Sequence, residues 1–155
     1  MIPEINFSTE TAVLKFYSLA DLRRYLKRLL ESYEREMDKL ANVMGNMMRD
    51  EKIDAENPST KGWAKAGNVF VNKQEPEKGT LDVLFHLTHE IRPKIKHVEE
   101  TLTSADQFDS LEISENSTFL LYVRDGVPER IIAVAADEPG EEQEKFVLTA
   151  TYKTV

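Results

Sequence analysis

The chain has 155 residues, 41% hydrophobic and 31% charged, with no cysteine and a formal net charge of −8. That is enough chain for one domain with its own core and too apolar for wholesale disorder. The missing cysteines exclude disulfides, thiol catalysis and cysteine-ligated zinc.

The charge is unevenly placed. Residues 1–66 carry 11 Lys/Arg against 11 Asp/Glu, and residues 67–155 carry 9 against 17, so the second half supplies the whole −8. An acidic half counts against a nucleic-acid ligand, whose phosphates need cations, unless a local basic cleft exists. The longest apolar runs, FLLYV (119–123) and IIAVAA (131–136), are far too short to cross a bilayer. The opening MIPEINFSTE lacks the basic-then-apolar pattern of a signal peptide. The expectation is a single cytoplasmic α+β domain over residues 1–155 with no membrane association.

In chain order, TAVLKFY (11–17) reads as a strand, being short and rich in β-branched and aromatic residues. Ser18 then stands as a helix N-cap, with Asp21 in the place of a capping-box acid. Good helix formers follow, and no proline intervenes before Pro58, so a long helix is expected over 18–52. Leu19, Leu22, Leu26, Leu29, Tyr33, Leu40, Val43 and Met47 alternate at spacings of three and four, broken only by Glu36: a heptad seam. Leu30, Met37, Met44 and Met48 widen it. Thirty helical residues span roughly 45 Å, longer than a small domain needs. Two uses are equally open: packing across the sheet, or pairing through the 19–48 helix with another copy or a protein partner.

Residues 54–66 read as a connector, GNVFVNK (67–73) as a short strand, and Thr80 as the cap of a second helix through LDVLFHLTHEI. Pro93 should kink or restart that helix, which KIKHVEETL continues to Leu102. Beyond Phe108 the period changes to two. Leu111–Ile113, Thr118–Arg124, Arg130–Ala136 and Lys145–Lys153 are strand candidates of a C-terminal antiparallel meander of about four strands, covered by the helices.

All three histidines, His86, His89 and His97, lie in the second helical region. On an unbroken helix His86 and His97 would be about 20° apart, with His89 about 60° to one side and Glu90 nearby. Such a face can bind zinc or iron, but the spacing matches no metal signature and Pro93 interrupts it, so neither a metal nor a cofactor is expected. Arg23, Arg24, Lys27 and Arg28, with Tyr25 between, form the one dense basic cluster, suited to phosphate or to a solvated helix face with Glu31 and Glu34. The acidic turn Asp137–Glu144 reads as a solvated hairpin loop. There is no glycine-rich phosphate loop and no Gly-x-Ser-x-Gly elbow.

From residue 67 the features run NVFV, HLTHEIRP, HVEETLTSADQF, FLLYVRDG, RIIAVAAD and FVLTATYKT. This order resembles the barnase–EndoU–colicin–RelE nuclease superfamily, in its phage and polymorphic-toxin branch, over roughly the last 90 residues. Ser104-Ala105-Asp106 stands where that pattern has Pro-Asp, and the long helix has no counterpart in it. The resemblance implies a metal-independent ribonuclease that cleaves RNA by 2′-hydroxyl attack, needing a base, an acid and a cation for the phosphorane. His89 matches the motif histidine, with His86 its substitute. Thr149 matches the threonine of the terminal strand, with Tyr152 and Lys153 beyond it, and Arg124 and Arg130 would hold phosphate. The alternative is a non-catalytic acidic protein that oligomerises through the heptad helix and binds a basic partner.

Overall fold

The computed structural model describes residues 4–50 and 62–135. Its elements are β1 (Ala12–Phe16), α1 (Leu19–Asp50), β2 (Trp63–Ala66), β3 (Val69–Asn72), α2 (Pro76–Ala105), a 3₁₀ turn (Phe108–Leu111), β4 (Thr118–Arg124) and β5 (Val127–Val134). The protein is thus α+β, with antiparallel sheets and a long first helix. No helix among the described residues is long and apolar enough to cross a membrane. The chain divides into two compact units: the described parts of residues 1–6 and 35–92, and of 7–34 and 93–155. Both helices contribute to each.

In the second unit the sheet order is β1-β4-β5, antiparallel throughout. Ala12 faces Val123, Leu14 faces Leu121 and Phe16 faces Phe119. With a side-chain period of two, Phe119, Leu121 and Val123 point to one side, and all three are fully buried. Leu22, Leu26 and Tyr33 of α1 and Val98 of α2 join them in the core, and Phe108 stacks on Phe119 with centroids 5.9 Å apart. Each such side chain contributes roughly 1.5–3 kcal/mol. Asp125 and Gly126 both have positive φ, the two-residue type I′ turn that joins β4 to β5. Around that turn Tyr33 donates its hydroxyl hydrogen to the Gly126 carbonyl, and the Gly126 N–H donates to the Glu10 carbonyl at 2.8 Å. Lys94, nearly buried on an apolar stripe, donates to the Asp125 carbonyl and lies 5.6 Å from the Phe7 ring centroid. His97 meets the Pro128 carbonyl through Nε2, and since a carbonyl only accepts, that nitrogen carries the proton.

In the first unit β2 and β3 form a hairpin, with Ala66 opposite Val69. Of the two loop residues only Gly67 has positive φ, as a type II′ turn requires. Leu40 and Met44 of α1 and Leu81, Leu84, Thr88 and Ile91 of α2 are buried here. The Asn72 side chain accepts from the Glu75 N–H at 2.9 Å, and Pro76 takes the first helical position, where its missing N–H costs nothing.

Several expectations fall on α1. The Ser18 hydroxyl accepts the Asp21 N–H at 3.2 Å, as an N-cap should. Of the seam, Leu22, Leu26, Tyr33 and Leu40 are fully buried within the chain, while Val43 and Met47 are half-buried. Other expectations are corrected. Trp63–Ala66 is a strand rather than connector. The second helix begins at Pro76, and the Thr80 hydroxyl bonds the Pro76 carbonyl from inside it instead of capping it. Pro93 does not restart α2, which runs through it unbroken. Leu111–Ile113 is not a strand: Glu112 turns the chain with φ 58°, and the Glu112 and Ile113 N–H groups return to Asp109 and Phe108. Among the described residues the sheet takes β1 as its third strand. The expected strand 145–153 and the acidic turn 137–144 lie outside the described residues.

Candidate functional site

The end of β1 and the first three turns of α1 are separated in sequence by only Tyr17 and Ser18. Once Ser18 caps the helix, Asp21, Arg24, Tyr25 and Arg28 fall at i, i+3, i+4 and i+7, a stripe beside the buried seam. That stripe faces Lys15, Phe16 and Tyr17 across an open hollow of about 300 Å³. Three cations and three aromatic rings thus converge in an otherwise acidic protein.

The interactions in the hollow are specific. Phe16 and Tyr25 have ring centroids 5.3 Å apart at 44°. The Lys15 ammonium lies 5.2 Å from the Tyr17 ring centroid, within cation–π range. Tyr17 nevertheless remains 61% exposed. Arg24 binds Asp21 through one N–H at 3.0 Å and is otherwise largely solvated. Arg28 is exposed and makes no ion pair or hydrogen bond among the described residues. Burial, assisted by the charge of Glu10, pushes the Tyr25 phenol up to about 12, so near neutral pH it is an uncharged hydroxyl that can donate. The lining therefore offers two guanidinium groups, an ammonium, a phenol and ring faces. Such groups are chemically suited to an anion with an apolar or planar part.

Two other hollows differ in chemistry. One of about 370 Å³, bounded by Glu112, Ser117, Ala133 and Ala135, has a carboxylate and no cation. One of about 230 Å³, beside Ser18 and Ala20, sets Glu115 against Arg23. Arg23 is further engaged by Asp106 at 2.8 Å and by the Ala105 carbonyl at the end of α2 at 3.5 Å. The basic cluster of the sequence is thus split by the fold: Arg24, Tyr25 and Arg28 line the aromatic hollow, Arg23 holds helix α2, and Lys27 is exposed. The helical spacing of 21, 24, 25 and 28 is the signal that separates them.

The residues expected from the nuclease resemblance are distributed otherwise. His86 and His89 are exposed on α2 in the first unit. His86 Nε2 lies 3.6 Å from Asp82, and His89 has no hydrogen-bond or ion-pair partner among the described residues. Arg124 and Arg130 lie on one face of the β4–β5 hairpin, with Tyr122 directly opposite Arg130. The register skips Glu129, a bulge residue whose carboxylate meets Arg124 at 2.8 Å, so this arginine is already partnered. Thr149, Tyr152 and Lys153 lie outside the described residues. Among the described residues no three His, Asp or Glu side chains gather as metal ligands. Neither protein-family models, nor curated proteins, nor solved structures give a match to this chain.

Proposed function

We propose that the protein binds a phosphate-bearing ligand in the hollow between β1 and α1. The observation that carries this reading is the convergence of Lys15, Arg24 and Arg28 on a cavity walled by aromatic rings, with Arg28 lacking any counter-ion among the described residues. Guanidinium groups present parallel N–H donors that match phosphate oxygens, and such charge-assisted bonds are about twice as strong as neutral ones. Arg24 and Arg28 sit one helical turn apart, a spacing at which two like charges repel unless an anion lies between them. Titration with inorganic pyrophosphate at low ionic strength, followed by backbone amide shifts, tests it. Shifts should concentrate over residues 15–28 and weaken about tenfold in Arg28→Gln, the loss of about 1.4 kcal/mol expected for one such contact. Shifts scattered over the surface, or none, would remove the proposal.

A second reading, the metal-independent ribonuclease, is supported by the ordered pattern from residue 67 and by the exposed, unengaged ring of His89. Its test is RNA cleavage by purified protein in the presence of a chelator, compared with His89→Ala and Thr149→Ala. Activity surviving both substitutions, or no activity at all, rejects it.

A further inference from the structure

We infer that the ligand of this hollow is a nucleoside phosphate, with its base laid against Tyr17 and its phosphate held by Arg24 and Arg28; the inference rests on the phosphate-binding reading above. A site for phosphate alone needs only cations and N–H donors. Here three of the seven lining residues are aromatic, and the most exposed of them is a ring that a core would be expected to cover: Tyr17 follows β1 directly with 61% of its surface free. The Lys15 ammonium lies over that ring, so the side chain is fixed by a neighbour two residues away on the strand while much of its surface stays open. A planar ring held in place and left accessible is the platform on which bases stack, and stacking tolerates any base because each has a π-face.

The remaining polar groups suit the part between base and phosphate. Asp21 uses one oxygen for Arg24, and its other oxygen can accept from a sugar hydroxyl. The Tyr25 side chain lines the same hollow. A volume of about 300 Å³ lies at the small end of ligand cavities, which fits one nucleotide unit rather than a folded polymer.

Calorimetry on the full chain at low ionic strength, with AMP, ribose 5-phosphate and adenosine as probes, tests the inference. AMP should bind at least about fivefold more tightly than ribose 5-phosphate, the lower end of what one stacked base supplies. Tyr17→Ala should abolish that difference, and Tyr17→Phe should restore it. Arg28→Gln should weaken AMP and ribose 5-phosphate alike and leave adenosine unaffected. Equal binding of AMP and ribose 5-phosphate overturns the nucleoside assignment and leaves the phosphate site standing. An AMP preference that survives Tyr17→Ala also overturns it, because the base would then sit elsewhere. If neither phosphate binds, both the inference and the function beneath it are wrong.

Discussion

Gly126→Ala should be among the most damaging single substitutions in this chain. Gly126 has φ 73°, a left-handed conformation that costs a residue with a Cβ about 1–2 kcal/mol. A Cβ there would also overlap the backbone carbonyl of Ser8 and the hydroxyl of the fully buried Tyr33. The Ser8 carbonyl is backbone and cannot simply rotate aside, so either residues 8–10 or the β4–β5 turn must move. Movement breaks the Tyr33 bond to the Gly126 carbonyl, about 1–3 kcal/mol because the groups are buried, and the Gly126 N–H bond to Glu10, about 1 kcal/mol. The total, about 3–6 kcal/mol, is a large part of the 5–15 kcal/mol typical of a folded protein. Gly67→Ala is the internal control. Its φ of 64° is equally left-handed, but nothing lies within 4 Å of the added Cβ, so it should lose only the conformational share of about 1–2 kcal/mol. Urea unfolding followed by far-ultraviolet circular dichroism compares the two. If Gly126→Ala loses no more than Gly67→Ala, the crowding argument is refuted and the turn is looser than its contacts imply.

The other substitutions probe separate forces. Burial raises the Glu36 carboxyl, but the hydrogen bonds from Lys39 and the Asn6 N–H, with the charges of Lys39 and Arg35, outweigh it and hold the group below the usual glutamate range. Its contribution is therefore fully present above the unfolded-state value and lost as pH falls through the folded one; Glu36→Gln should flatten the acid limb of a stability–pH curve, and an unchanged limb rejects the assignment. Ser18→Ala removes the cap on α1 and should cost about 1 kcal/mol in the same urea assay, while Ser18→Asp should retain most of it. Arg23→Gln should destabilise by roughly 0.5–1 kcal/mol through loss of its contacts to Asp106 and the Ala105 carbonyl. Arg28→Gln should instead be neutral or stabilising by a few tenths, because it relieves repulsion from Arg24 one turn away.

What was legible in the sequence was what local chemistry decides. Ser18 before a run of helix formers, leucines at three-and-four spacing, the alternation of Thr118–Arg124 and the Asp125-Gly126 pair each act within a few residues, and each has its structural counterpart. Pro93 does not break α2, because its cost does not act alone. An interior proline costs about 3 kcal/mol, but Leu81, Leu84, Ile91 and Val98 are buried on one continuous stripe of α2 and contribute roughly 1.5–3 kcal/mol each. The stripe holds the helix through the defect. The β2–β3 hairpin was overlooked although Gly67-Asn68 is a recognised two-residue turn, since WAKA alone has little strand propensity. The pairing of β1 with β4 was not legible at all, because no residue of TAVLKFY specifies a partner more than a hundred positions away. The hollow was half legible: its basic cluster stood out, but which members meet the aromatic end of β1 depends on where Ser18 starts the helix.

The charges of this chain sort by what the fold asks of them. Arg23 holds the end of α2, Lys94 holds the Asp125 turn, Lys39 steadies the buried Glu36 and Arg124 is matched by the bulge residue Glu129. Each of these cations has an anion or carbonyl that folding itself supplies. Arg28 has none among the described residues, and it stands one turn from another arginine in a protein that carries eight net negative charges. Asp21 offsets part of the charge of Arg24, but no contact to Arg28 itself repays its repulsion, so folding alone gives no reason for a cation there. On the proposed function the balance reverses, because an anion in the hollow would turn the two guanidinium groups into a clamp. The proposed function therefore predicts a dissociation that folding alone does not: Arg28→Gln should leave the free protein intact and weaken its complex with an anion, and equal effects on both would refute a ligand role for Arg28.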